Sequence, residues 1–157
     1  MGLGCWKGVL MDFKGDVSIE APREKVYAFL TDPNQVTQCA PGLQSVEIID
    51  ENKFKCTVKA GVGMIRGTFN FDIEFQKREE PSHATIVASG KMPGSAVSMT
   101  STMDLTDEGT GTLMHWASDV KVSGTIAGVG ARLMGGVADR MTKDIFACIK
   151  SKLETGS

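Results

Sequence analysis

The chain has few of the groups on which enzyme and metal chemistry usually rest. It holds one tyrosine, Tyr27, and two histidines, His83 and His115. No serine stands in a nucleophile-elbow pattern. The four cysteines, Cys5, Cys39, Cys56 and Cys148, form no C-x-x-C pair. Zinc sites use three or four ligands with short local spacing, so neither a metal nor a cofactor is expected. Widely spaced cysteines of this kind read as reduced thiols of an intracellular protein rather than as a disulfide framework. No apolar run approaches the roughly 20 residues of a membrane-spanning helix. A net charge of −2 and a pI near 5.7 leave no electrostatic footprint for nucleic acid. Repeats, low-complexity tracts and linkers are absent as well.

The first ten residues, MGLGCWKGVL, carry Lys7 where a secretory signal would be apolar. Trp6 stands where a myristoylation signal has Ser or Thr. Residues 1–10 therefore read as an extension ahead of one domain spanning 11–157, a length that suits a single core.

What is present is alternation. Phe13, Gly15, Val17 and Ile19 face one way and Asp12, Lys14, Asp16 and Ser18 the other, which predicts a half-buried strand. Ala21-Pro22 opens a short helix burying Val26, Phe29 and Leu30. Asp32-Pro33-Asn34-Gln35 opens a second, with Asp32 as N-cap and Gln35 able to complete a capping box. From Gln44 the period becomes two. Val46 and Ile48, then Phe54, Cys56 and Val58, share a face across an Asp50-Glu51-Asn52 turn. Phe69, Phe71, Ile73 and Phe75 alternate with Asn70, Asp72, Glu74 and Gln76. Further strands fit 83–89, 97–105 and 112–122. Gly61, Val62 and Gly63 with Gly67 have the wrong spacing for a dinucleotide loop and precede a strand, so they mark a strand bend.

The last segment, about Thr125 to Lys152, reads as one long amphipathic helix. Its stripe is Ile126, Val129, Leu133, Val137, Met141, Ile145 and Ile149. Gly128, Gly130, Gly135 and Gly136 sit in its first half, where each glycine costs about 1 kcal/mol relative to alanine. Such glycines are expected either to admit closely packed atoms or to yield during ligand entry. The basic residues Arg132, Arg140, Lys143, Lys150 and Lys152 outnumber the acids Asp139, Asp144 and Glu154. They make either a solvated face completing the helix dipole or a contact for an anionic surface. This helix alone is long enough to cover the apolar face of the sheet.

Phe69, Phe71, Phe75, Met99, Met103, Met114, Trp116, Leu133, Met134 and Met141 are expected on inward faces. They form either an ordinary core or the flexible lining of a binding cavity. No acid–base pair converges there. His115 is expected to point to water.

The run Phe13-Lys14-Gly15, then Ala21-Pro22-Arg23-Glu24-Lys25-Val26-Tyr27-Ala28-Phe29-Leu30-Thr31-Asp32-Pro33 and Ala40-Pro41-Gly42, resembles the carbon monoxide dehydrogenase G-subunit family. Its V-G-x-I-[KR]-G-T-F segment is matched by Val62-Gly63-Met64-Ile65-Arg66-Gly67-Thr68-Phe69, and Gly128-Val129-Gly130-Ala131-Arg132-Leu133 is similar too. The opening motif recurs across the wider START-like (SRPBCC) superfamily. The resemblance implies an α+β helix-grip fold: a curved seven-stranded antiparallel sheet around a long C-terminal helix, with two short helices after strand one. It implies an apolar cavity, with Pro41, Gly42, Val62, Gly63, Met64, Ile65, Arg66, Gly128 and Gly130 near its mouth.

It further implies a non-enzymatic accessory that binds a lipid or quinone for a carbon monoxide dehydrogenase-type molybdenum hydroxylase. Such a protein would be cytoplasmic, with peripheral contact at the inner face of the membrane. Many members carry a hydrophobic C-terminal tail; this sequence stops at Ser157, so tail anchoring is not expected. The readings that compete are a docking or assembly factor that ignores the cavity, and a cyclase- or hydrolase-like enzyme. The last would need Tyr27, His83 or Asp119 buried in the cavity.

Overall fold

The computed structural model describes residues 8–40, 42–62, 65–129 and 131–155. Strand β1 (Gly8–Ile19) is followed by helices α1 (Arg23–Leu30) and α2 (Pro33–Val36) and a 3-10 turn at Thr37–Cys39. Then come β2 (Leu43–Ile48), β3 (Lys53–Val62), β4 (Ile65–Glu79), β5 (His83–Met92), β6 (Ser95–Glu108) and β7 (Gly111–Gly124). A second 3-10 turn, Thr125–Val129, leads into α3 (Ala131–Thr155).

The strands form one antiparallel sheet in the order β1-β7-β6-β5-β4-β3-β2. The chain leaves β1 at one edge, crosses through the two short helices to β2 at the other, and returns by successive hairpins. Register shifts at Leu43/Ser45 and Phe75/Lys77 add local bends. Helix α3 makes its main strand approaches to β1 and β3, near the two ends of the sheet, so the sheet grips it from both sides.

The alternation predicted from sequence sets the faces. Buried or half-buried positions recur every second residue, at Val17 and Ile19, at Phe54, Cys56 and Val58, and at Phe69, Phe71, Ile73 and Phe75. The local signals also hold. The Asp32 carboxylate caps α2 by accepting from the Asn34 N–H at 3.0 Å, and the Gln35 amide donates to its other oxygen at 2.8 Å. Asp50 accepts from the Asn52 and Lys53 amides in the β2–β3 turn.

Three expectations are corrected. First, β1 begins at Gly8, three residues ahead of Met11, because Gly8–Leu10 pair with Ser123–Lys121. Second, the terminal helix is not continuous from Thr125. Gly128 lies in the 3-10 turn, and only Gly135 and Gly136 lie within α3. Met134, Val137, Met141, Ile145 and Ile149 keep the expected inward side, whereas Leu133, at the start of the helix, is 43% exposed.

Third, Cys39 and Cys148 are joined by a disulfide with Cα atoms 5.6 Å apart. It ties the turn after α2 to the second half of α3. Spacing along the chain gives no hint of it, because the two lie 109 residues apart. Structural disulfides belong to oxidising surroundings, against the expectation of reduced thiols. Cys56 is free and buried, and burial pushes its thiol up so that it stays protonated at neutral pH.

Three glycines of the terminal segment are not there for close approach. A Cβ added at Gly128, Gly135 or Gly136 would meet nothing within 4 Å. Gly135→Ala and Gly136→Ala should therefore each raise stability, by about 1 kcal/mol where helix propensity alone acts. Thermal or urea unfolding measures the gain.

Candidate ligand site beneath the long helix

The core is divided. The larger cluster joins Ile19, Val26, Tyr27, Leu30, Met103, Leu105 and Met114 to Ile149 and Leu153 at the C-terminal end of α3. The smaller joins Phe69 and Val122 to Met134 at the N-terminal end, with Met11, Phe71, Val97 and Val120 packed on it. Both ends of α3 are thus sealed onto the sheet.

Between them lies a row of inner-face positions across the sheet: Phe13 on β1, Ser118 on β7, Ser101 on β6, Ile86 on β5 and Phe75 on β4. Phe13, Ile86 and the neighbouring Ile73 and Met99 belong to neither cluster. All four are only half-buried, although they face the side that α3 covers. A close-packed core leaves no such band, so the gap between the two clusters is the candidate ligand site. On the side of the larger cluster, Trp116 meets Phe146 of α3 with ring centroids 5.5 Å apart. On the other side Phe71 lies over Gly90, where an added Cβ would come within 2.3 Å of its ring. Gly90 is thus a place where the backbone must stay bare.

The predicted lining distributes unevenly around this gap. Met99 and Trp116 border it, and Met141 is half-buried on α3. Phe69, Phe71 and Met134 belong to or pack on the smaller cluster, and Met103 and Met114 are buried in the larger. Phe75 is buried against Phe54, with the Arg78 guanidinium 4.5 Å from its ring centre. Leu133, exposed at the start of α3, does not line the gap. Of the expected mouth, Gly42, Arg66 and Gly128 are exposed, and Val62 and Ile65 are the backbone ends of the β3–β4 hairpin. Pro41, Gly63, Met64 and Gly130 lie outside the described residues.

Sequence reasoning missed Ile86, Ser101 and Ser118 altogether and did not count Phe13 as lining. The two serines carried a signal. Each interrupts an apolar inner face, Met99-Ser101-Met103 on β6 and Trp116-Ser118-Val120 on β7.

The titratable candidates point elsewhere. The Tyr27 hydroxyl donates to the His83 carbonyl at 3.1 Å within the larger cluster, and burial holds its pKa above the ordinary tyrosine value. The His83 ring contacts Asp104 at 2.7 Å and Thr85 at 3.0 Å, and exposed His115 pairs with Asp16. Asp119 stands opposite Asp12 on the outer face of the sheet. A hydrogen bond from one carboxyl to the other, with the Asp12 charge and a little burial, raises its pKa against the opposing pull of Lys121.

A group raised in the folded state stabilises at acid pH, and that stability is lost as pH rises through its folded value. Asp119→Asn should therefore raise the melting temperature at neutral pH and leave it unchanged in acid. Melts at the two pH values check this.

Among the described residues, no group of three or more His, Cys, Asp or Glu side chains could hold a metal ion. No described helix is long and apolar enough to cross a membrane.

A seven-stranded antiparallel sheet closed around a C-terminal helix is the helix-grip architecture of the START-like superfamily. A START superfamily protein from Mycobacterium smegmatis superposes with a TM-score of 0.71 at 14% identity, covering 93% of this chain and 99% of that one. A conserved protein from Geobacillus kaustophilus matches with a TM-score of 0.86 at 26% identity, over 92% of this chain and 96% of that one. A protein from Rhizobium leguminosarum matches at 0.68 and 15% identity, over 95% and 97%. No curated protein matches the sequence. The family model for the carbon monoxide dehydrogenase G-subunit (CoxG) matches residues 15–154, and the chain belongs to that family.

Proposed function

We propose that the gap beneath α3 holds an uncharged hydrophobic small molecule, a lipid or isoprenoid quinone. In this reading the protein carries that molecule for a molybdenum hydroxylase of the carbon monoxide dehydrogenase type and does no chemistry on it. The observation that supports it is the half-exposed band of Phe13, Ile73, Ile86 and Met99 between two sealed clusters. Adaptable Met and aromatic side chains suit such a ligand. The family's name is what points to the partner enzyme.

Peripheral membrane contact belongs to the same reading. Leu133 and Leu10 are exposed, and so are Arg66, Lys91 and Arg132. A cytoplasmic place at the inner face of the membrane is also part of it. The Cys39–Cys148 disulfide speaks against a reducing location, and trapping of thiols in intact cells decides that point.

Organic extraction of the purified protein, mass spectrometry of the extract and titration with an isoprenoid quinone test the function. A co-purifying isoprenoid or lipid and saturable quinone binding are expected. Repeatedly empty extracts with no saturable binding would sink the reading.

A further inference from the structure

We infer that Ser101 and Ser118 are a polar anchor that fixes the uncharged carbonyl or hydroxyl head of the carried molecule, with its hydrocarbon tail running toward the N-terminal end of α3. The inference rests on the carrier reading above and names the ligand's chemistry and orientation.

The two residues are directly opposed partners on β6 and β7, with hydroxyl oxygens 2.6 Å apart and partly buried. Everything around them on the inner face is apolar. Phe13 and Ile86 flank them in the same row, Met99 and Val120 lie one step toward the smaller cluster, and Met103 and Trp116 one step toward the larger. Two hydroxyls bring two O–H donors, and their mutual bond uses one. Among the described residues, no other hydrogen-bond partner is found for either serine. A donor left unpaired in an apolar setting costs about 1–3 kcal/mol, which a carbonyl or hydroxyl oxygen on a ligand would recover.

The same surroundings exclude a charged head. The inner positions of β5 to β7 beside the serines carry no cation. A carboxylate or phosphate there would be desolvated without a partner. Orientation follows from the neighbours. The packed Trp116–Phe146 pair closes the side toward the larger cluster. On the other side Met11, Val97 and Val120 are only partly buried and offer an apolar face for the tail.

The test compares the native full chain with the double variant Ser101→Ala/Ser118→Ala. The three probes are a prenylated benzoquinone, the hydrocarbon squalene and a long-chain fatty acid. The native protein should prefer the quinone over squalene by about tenfold, the worth of one such bond. The double variant should lose that preference while keeping its squalene affinity. The infrared carbonyl stretch of bound quinone should be lowered in the native protein and not in the variant. Should the double variant fold poorly, Ser118→Ala alone serves, with the same loss of carbonyl shift expected.

An unchanged preference and unchanged carbonyl stretch in the variant would overturn the anchor while leaving the carrier intact. Tighter binding of the fatty acid than of the quinone would do the same. Binding of none of the three by the native chain would overturn the carrier reading, and the anchor with it.

Discussion

Replacing Cys148 with serine should lower the stability of the protein by about 4 kcal/mol, the largest effect expected of any single change away from the ligand site. The bond between Cys39 and Cys148 closes a loop spanning 109 residues. In the chain-entropy picture, a loop of about that length removes about 4–5 kcal/mol of freedom from the unfolded chain. Against a typical total of about 5–15 kcal/mol, this is a large share. The geometry concentrates the effect, since Cys39 is buried in the larger cluster and Cys148 anchors the second half of α3 there. Urea unfolding of the native protein with and without a dithiol should reproduce the difference seen for Cys148→Ser. Cys56→Ser should leave the response to reductant unchanged, because Cys56 has no partner cysteine in the described structure. A native protein whose midpoint ignores the dithiol would show that the bond does not contribute.

The second large effect is on binding. Ile86→Trp places a bulky ring in the half-open row between Ser101 and Phe75. In a filled core, added volume costs about 1–3 kcal/mol. Here the gap should accept the ring, so stability should fall by less than about 1 kcal/mol while quinone affinity falls at least about tenfold. Ala84→Leu provides the contrast two residues away on the same strand. Ala84 is fully buried in the larger cluster, so even this smaller addition should cost the full overpacking penalty and leave the gap open. Melts and quinone titrations on the two variants separate packing from occupancy. A strongly destabilised Ile86→Trp that still binds quinone normally would rule out the gap as the site.

Much of this architecture is local physics and was legible residue by residue. Period-two alternation assigned the inward faces of β1, β3, β4, β6 and β7, because a strand with one buried face must alternate. Asp32, Pro33 and Asp50 announced a cap and a turn through side-chain oxygens near free amides. Phe69 and Phe71 fall on the inner side by the same alternation, and Met134 falls there by helical spacing. The motif from Phe13 to Pro33 points to the family without any geometry.

What remained hidden depends on distance and on where the last helix begins. No local pattern pairs Cys39 with Cys148, which only the docking of α3 against the turn after α2 brings together. The stripe of the last segment holds at Val137, Met141, Ile145 and Ile149 and fails only at its start. A 3-10 turn precedes Ala131, and in the first turn of α3 Met134 is buried while Leu133 stays out. The division of the core into two clusters is likewise a property of how the sheet curves under the helix, and it places two serines as a polar pair in an otherwise apolar row.

The sequence by itself determined the elements, their buried faces and the family, since each follows from interactions within a few residues or from a motif. Tertiary structure alone decided which inner positions stay outside the two clusters and what stands beside them. That outcome rests on strand register, sheet curvature and the start of one helix, none of which is written at any single position.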